Sequence, residues 1–360
     1  MNSKTYNNLK LAVSVGKGIA SFLLLLYFVL SGLSRTLLLL LANYSSNNYI
    51  LFLLFIGVLG IASGIIFAPL NYYSGFYLEH KYNLSNQTFL AWIWEDVKGL
   101  LVSLVIGVPL LLLFYYSLNR FGASWWLPFA IIIFVISVLL ARVAPIVILP
   151  LFYKVTPIED DDLKSRISIL AKDAGIKVEN VYKFNMSKNT KKANAAFTGI
   201  GKSKRIILGD TLLDKFSGDE IETVIAHELG HYKMKHIIKN IIIGTASSFL
   251  TLFLIAFFYD KSLGWFNFTS RIDISALPLL SLWAMVIGLI FTPLTNLLSR
   301  KYEYEADGYS VSATGKSAHF IAALEKLNEQ NLGDKDPHPF VEWFFYSHPS
   351  IKKRIAAINK

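Results

Sequence analysis

The chain has 360 residues, of which 54% are hydrophobic and only 17% charged, with a formal net charge of +10. Soluble domains run near 25% charged, so this is the composition of a membrane protein, and the excess Lys and Arg fits cytoplasmic loops better than nucleic-acid binding. The absence of cysteine excludes disulfides, thiolate metal sites and cysteine nucleophiles, leaving His and carboxylate to hold any zinc.

The first apolar run, Gly18 to about Ser34, follows Lys4, Lys10 and Lys17 and continues past Arg35 to Ala42. It is too long for a signal peptide, and no small-x-small cleavage site follows it, so it reads as a retained first span. Tyr49 to Leu70 is 22 residues without a charge, enough to cross about 30 Å of hydrocarbon. Gly99 to Ser117, Trp125 to Ala141, Asn240 to Phe258 and Ile274 to Leu298 bring the count to six. The pair Trp125 and Trp126 is expected to anchor at the membrane interface.

Charge orients these spans. The loop Asn43 to Asn48 carries none, whereas the N-terminus, the segment Tyr72 to Lys98 and the chain after Pro150 hold most of the Lys and Arg. The positive-inside rule places both termini, His227 and the region after Leu298 on the cytoplasmic side.

Between Pro150 and Glu220 the text becomes that of a water-soluble domain. Leu163, Ile167, Ile169, Leu170 and Ala171 recur at helical spacing within Asp160 to Ala174, and Val178 to Phe184 alternates like a strand. Ala195 to Ile200 and Arg205 to Leu208 flank Gly201-Lys202-Ser203-Lys204, a hairpin pattern. A phosphate loop there is ruled out by Ala196, where a glycine is required. Ser217 and Glu220 form a capping box that predicts a helix from near Gly218. With no breaker before Phe258, that helix is expected to run straight into the fifth span.

The same helix carries Ala226-His227-Glu228-Leu229-Gly230-His231. Histidines four apart lie one turn along a helix and about 40° around it, so both reach one metal ion. Glu228, beside them, can take a proton from the attacking water without spending its charge on coordination. The bland alternative, a helix with two surface histidines, leaves the downstream acids unexplained. Two histidines leave a zinc site one ligand short, and Glu303 can supply the third while Asp307, four residues on, accepts the remaining N–H of a ligating His. Glu305 faces away and is expected to be solvated. His236, five residues after His231, falls roughly 140° around the helix and is read as structural or interfacial. His348, in Ser347-His348-Pro349-Ser350, can donate to an oxyanion, although His before Pro is also ordinary turn chemistry.

These motifs, with Asn194-Ala195-Ala196-Phe197, Tyr346-Ser347-His348-Pro349 and Arg354, resemble the integral-membrane zinc protease family of CAAX prenyl protease 1, and more distantly the HtpX-type quality-control proteases. Similarity extends through Tyr77 to Asn83, Leu149 to Phe152, Arg205 to Leu212 and Asn328 to Gly333. The resemblance implies one zinc ion per chain on His227, His231 and Glu303, Glu228 as catalytic base, and Asn194 and His348 holding the peptide or its transition state. Asn194, Ala195, Ala196, Phe197 and Arg354 are the expected substrate-binding residues, with the peptide extended along the Asn194 to Ile200 strand. Six spans rather than the seven of eukaryotic members, and Ala196 where those members have Tyr, imply a short bacterial form in the cytoplasmic membrane.

The expected fold is mainly α: a polytopic membrane protein with a cytoplasmic-face, zincin-like metalloprotease domain containing a small β-sheet. The expected division is a membrane domain at 1–149, protease parts at 150–236 and 299–360, and two spans at 237–298. Partners would be membrane lipids and a peptide or membrane-protein substrate, lipidated in the CAAX reading, with no nucleic acid. Broad quality-control proteolysis is the nearest rival; a transporter or an inactive scaffold fits less well, because intramembrane charges are few and every expected catalytic residue type is present.

Overall fold

The computed structural model describes residues 2–175, 181–198 and 205–360, with only the backbone of Phe197 and Thr198. In chain order, α1 (Ser3–Leu30) and the short α2 (Leu33–Ala42) precede α3 (Asn48–Tyr72), α4 (Phe89–Phe121) and α5 (Trp126–Val143). Strand β1 (Val155–Pro157), helix α6 (Asp161–Asp173) and strands β2 (Val181–Phe184), β3 (Ala195–Thr198) and β4 (Arg205–Gly209) follow. The chain ends with α7 (Gly218–Lys233), α8 (His236–Ser262), α9 (Pro278–Thr314), α10 (Ser317–Gln330), α11 (Pro339–Phe345) and α12 (Ile351–Ile358).

Six of these helices, α1, α3, α4, α5, α8 and α9, are long and apolar enough to span a bilayer. Each packs on its neighbours in a closed ring that runs α1, α3, α4, α5, α8, α9 and back to α1. Their outward apolar side chains, such as Ile65, Val105, Leu139 and Leu289, are exposed, as lipid-facing residues are.

The first span differs from expectation. It begins at Ser3 and ends at Leu30, because Gly32 adopts φ 77° and turns the chain into α2. A left-handed residue ends a helix, and glycine adopts that conformation without strain. At this far end of the ring the Arg35 guanidinium donates to the carbonyls of Phe266 and Asn267. Trp125 is no interfacial anchor either. It is 1% exposed, edge-on to Phe114, in a core with Phe52, Phe55, Tyr115 and Tyr259.

At the opposite end, the N-terminus, the turn after α3 and the soluble part are tied together. The Tyr6 hydroxyl donates to Glu79 at 2.6 Å, and Lys10 and Lys192 pair with the same carboxylate at 2.8 and 2.9 Å. Asn7 donates to the carbonyl of Leu332 at 2.7 Å. Both termini and the soluble part therefore share one side of the ring.

The sheet has order β1-β2-β4-β3, with β2 and β4 parallel and the outer pairs antiparallel. Ala195 opposes Leu208 and Thr198 opposes Arg205, the pairing of the expected hairpin. Its turn, and the first residues of the expected strand at 178–180, lie outside the described residues. Strand β3 is left at the sheet edge. Leu163, Ile167 and Leu170 of α6, Ile206 and Leu208 of β4, and Ile221, Val224, Ile225 and Leu229 of α7 form one buried core. Arg166 pairs with Asp219 and Glu222 at the start of α7, and Lys316 reaches both at 2.7 Å, binding the helix starts together.

Candidate metal centre

Helix α7 begins with the expected capping box. The Ser217 hydroxyl accepts from the Glu220 amide, and the Ser217 amide donates to the Glu220 carboxylate at 2.7 Å. This satisfies two amides that a helix N-terminus would otherwise leave unpaired. The helix buries Ile221, Val224, Ile225 and Leu229 toward the sheet; at helical spacing His227 and His231 fall to one side of that stripe, where α9 crosses. There Gly230 meets Ala306. A Cβ at Gly230 would stand 3.1 Å from Ala306 Cα and 3.1 Å from Tyr309 Cβ, so any side chain there would push the two helices apart by a few tenths of an ångström. The Ser310 hydroxyl, donating to the Thr223 carbonyl at 2.7 Å, secures the crossing.

That approach brings Glu303 against the histidine pair. His227 Nε2 and His231 Nε2 are 3.2 Å apart. Glu303 Oε2 is 3.5 Å from the first and Glu303 Oε1 3.3 Å from the second. Donors bonded to a tetrahedral ion at about 2.0–2.1 Å stand about 3.3 Å from one another, so the three side chains can hold one metal ion. Glu303 is 5% exposed, and its Oε2 has no hydrogen-bond partner among the described residues. A buried carboxylate oxygen with no hydrogen bond, and only the long contacts to His227 Nε2 and Arg354 Nη1 at 3.5 Å, is costly unless a cation completes it.

Behind the cluster, Asp307 Oδ1 lies 2.9 Å from His227 Nδ1. A carboxylate only accepts, so Nδ1 carries the proton and Nε2 turns its lone pair to the centre. Burial alone would lower the His227 pKa, but the contacts with Asp307 and Glu303 outweigh it and hold the imidazole up at about 9. Without an ion, the pocket thus recruits a proton as its positive charge.

Glu228 is half-buried and lines the same cavity as His227, Glu303, Asn194, Ala195 and His348. His348 Nε2 is 3.4 Å from Glu303 Oε1, and its Nδ1 is 2.9 Å from the Ser347 hydroxyl. The segment is pinned by Arg300, which donates to the Tyr346 carbonyl at 2.6 Å, and by Glu342, which accepts from the Ser350 amide at 3.1 Å.

The expected substrate-binding residues divide. Ala196 packs with Phe184, Met186 and Ile207 on the face of the sheet away from the cavity, because successive residues of a strand point to opposite faces. The Phe197 side chain lies outside the described residues. Arg354 is 8% exposed on the inner wall of the same cavity and is engaged with the cluster: its Nε and Nη2 donate to Asp307 at 2.8 and 2.5 Å, and Nη1 lies 3.5 Å from Glu303.

The expected continuous helix from Gly218 to Phe258 is also broken. Lys235, at φ 59°, separates α7 from α8. The break places His236 Nδ1 3.0 Å from His231 Nδ1 and His236 Nε2 2.8 Å from Glu305 Oε2. Glu305 is therefore engaged rather than simply solvated. Sequence reasoning also missed Asn331, whose side chain accepts from the Ala193 amide at 2.9 Å and donates to the Ala193 carbonyl at 3.2 Å, steadying the approach to β3.

Residues 157–360 match peptidase family M48, and residues 1–154 match the CAAX prenyl protease N-terminal family of five membrane helices. The chain is 33% identical over 328 residues to CAAX prenyl protease 1 of Saccharomyces cerevisiae, covering 85% of this chain and 72% of that one. It is likewise 33% identical over 310 residues to the Bacillus subtilis metalloprotease YhfN, with the same coverage. The crystal structure of S. mikatae Ste24p superposes with a TM-score of 0.89 at 29% identity, covering 99% of this chain and 88% of that one. A protein whose two parts match these two families, with such relatives over most of its length, belongs to peptidase family M48 and is an integral-membrane metalloprotease.

Proposed function

We propose that the protein is a zinc endopeptidase of the CAAX prenyl protease type, with one zinc ion on His227, His231 and Glu303. Two imidazoles, one carboxylate and no thiolate make a zinc donor set that leaves a position open for chemistry. The reading rests on one observation above all: two imidazole Nε2 atoms 3.2 Å apart beside a buried carboxylate oxygen that makes no hydrogen bond among the described residues.

When bound, zinc supplies Lewis acidity toward water and the scissile carbonyl. Glu228 takes the proton of the attacking water and delivers it to the leaving amine. His348 donates to the oxyanion from Nε2; in that tautomer its Nδ1 accepts from the Ser347 hydroxyl 2.9 Å away. The peptide adds as a strand along the free edge of β3, with Asn194 and Ala195 setting its register. Arg354 holds Asp307, which in turn holds His227.

The far-end loops carry only Arg35, Arg120, Lys261 and Arg271 of the chain's 35 Lys and Arg, a distribution that supports a site at the cytoplasmic face, in a bacterium that of the cytoplasmic membrane. A prenylated CAAX peptide as substrate is supported by the likeness to the yeast CAAX prenyl protease 1 and by the fit to Ste24p along 99% of this chain. Membrane lipids surround the ring.

The test compares wild type with Glu228→Gln for zinc content and for cleavage of a farnesylated CAAX peptide, its unmodified form and a misfolded membrane protein. Retained zinc with lost turnover in the variant is expected, as is preference for the farnesylated peptide in the wild type. Zinc absent from wild type, or full activity in the variant, overturns the mechanism. Equal cleavage of all three substrates replaces the CAAX assignment with broad quality control.

A further inference from the structure

A histidine that coordinates through Nε2 must carry its proton on Nδ1, and a partly buried N–H needs an acceptor. His227 has Asp307 for this purpose. His231 has no carboxylate at its Nδ1; the atom there, 3.0 Å away, is Nδ1 of His236. Two ring nitrogens at that distance share one hydrogen, so one of them must donate and the other accept.

Glu305 decides which. Its Oε2 lies 2.8 Å from His236 Nε2. A carboxylate accepts and cannot donate, so Nε2 carries the hydrogen of the neutral ring and Nδ1 is left as an acceptor. His231 must then donate from Nδ1, and its Nε2 lone pair turns toward Glu303 and His227. The opposite assignment would set a lone pair of His236 against the carboxylate and put the His231 hydrogen where an ion belongs.

The surroundings hold His236 in this role. It is 1% exposed and lies flat on Tyr302, with ring centroids 4.1 Å apart and planes 12° apart. Lys301 Nζ is 3.8 Å from the other oxygen of Glu305. The geometry depends on the helix break: on an unbroken helix His236 would project roughly 140° from His231, and the left-handed Lys235 brings it back beneath.

We propose that His236 and Glu305 are positioning residues that fix the tautomer and orientation of His231 for metal binding, an inference that rests on the zinc reading above. Neither residue touches substrate. Removing an outer partner of a zinc ligand costs about 10–100-fold in metal affinity.

The test measures zinc affinity by chelator competition on the full-length protein in detergent. His236→Phe keeps a ring on Tyr302 but loses both hydrogen bonds, and is expected to bind zinc about 10–100-fold more weakly. His236→Asn, whose carbonyl can accept from His231 and whose amide can donate to Glu305, is expected to recover part of the loss. Glu305→Ala is expected to weaken zinc binding alone and to add little in the His236→Phe background. The zinc-free His236→Phe protein is expected to melt close to the wild type. Wild-type zinc affinity in His236→Phe, while wild type itself binds zinc, overturns this inference and leaves the zinc reading standing. A loss that Asn does not relieve and that lower zinc-free stability accompanies overturns it in favour of packing. A wild type that binds no zinc overturns both.

Discussion

The two imidazoles that face the metal position are backed in different ways. His227 is buried against Asp307, itself 2% exposed and clamped by Arg354 from the last helix. His231 is more open, with a side chain 22% exposed, and reaches its carboxylate only through the ring of His236. The first support is a buried ion pair assembled from α7, α9 and α12; the second joins the break between α7 and α8, which sets His236, to Glu305 of α9. His227 is thus backed directly by a buried ion pair, whereas His231 is backed through a neutral ring whose position depends on one turn, and the two supports should fail differently.

The largest effect is expected at the ligand common to both. Glu303→Ala should abolish zinc retention on dialysis and all turnover, as measured by metal analysis and peptide cleavage. Retained stoichiometric zinc would contradict the assignment. Next comes Asp307→Ala, which leaves Arg354 buried with only the 3.5 Å contact to Glu303. Breaking a buried pair costs about 3–5 kcal/mol, so the zinc-free protein should lose stability as well as affinity. His236→Phe should lose affinity alone. If both variants lose only affinity, the contrast between the two supports disappears.

A smaller effect is expected at the helix crossing. Gly230→Val puts atoms where Ala306 and Tyr309 already stand, and overpacking costs about 1–3 kcal/mol. By parting α7 from α9 it should also weaken zinc binding, whereas Gly244→Val in α8, with open space around it, should not. Apart from the substitutions stands the pH dependence without metal. His227 is raised from 6.5 to about 9, so the stability it contributes is full below pH 6.5 and is lost as pH rises through about 9. The chelated protein should melt progressively lower across that window, and zinc, which takes the proton's place, should flatten the trend. Melting points that rise with pH in the chelated protein would contradict the sign.

Where structure depends on local spacing, the sequence is readable. The capping box, the His227 and His231 pair, the Glu303 and Asp307 pair and the charge-free spans each follow from helical period or run length, and each is found. Residues whose role depends on a joint or on distant packing are not readable in this way. Lys235 carries no glycine or proline signal, so nothing announces the break that turns His236 toward His231 and engages Glu305. Arg354 looks like a surface residue until α12 is folded onto α9. Trp125 suits an interface and a core equally well in composition. Two features were readable and misread: Gly32 marks the turn inside an apolar run too long for one span, and Ala195 and Ala196, as neighbours on a strand, cannot both face the cavity.

The central claim is that His227, His231 and Glu303 converge on one zinc ion. X-ray absorption at the zinc edge of the purified protein, with metal counted per chain, tests it most directly. One zinc with two imidazole nitrogens and carboxylate oxygen in its first shell, lost on Glu303→Ala, is the result predicted. A zinc-free protein, or an unchanged first shell in Glu303→Ala, would contradict it.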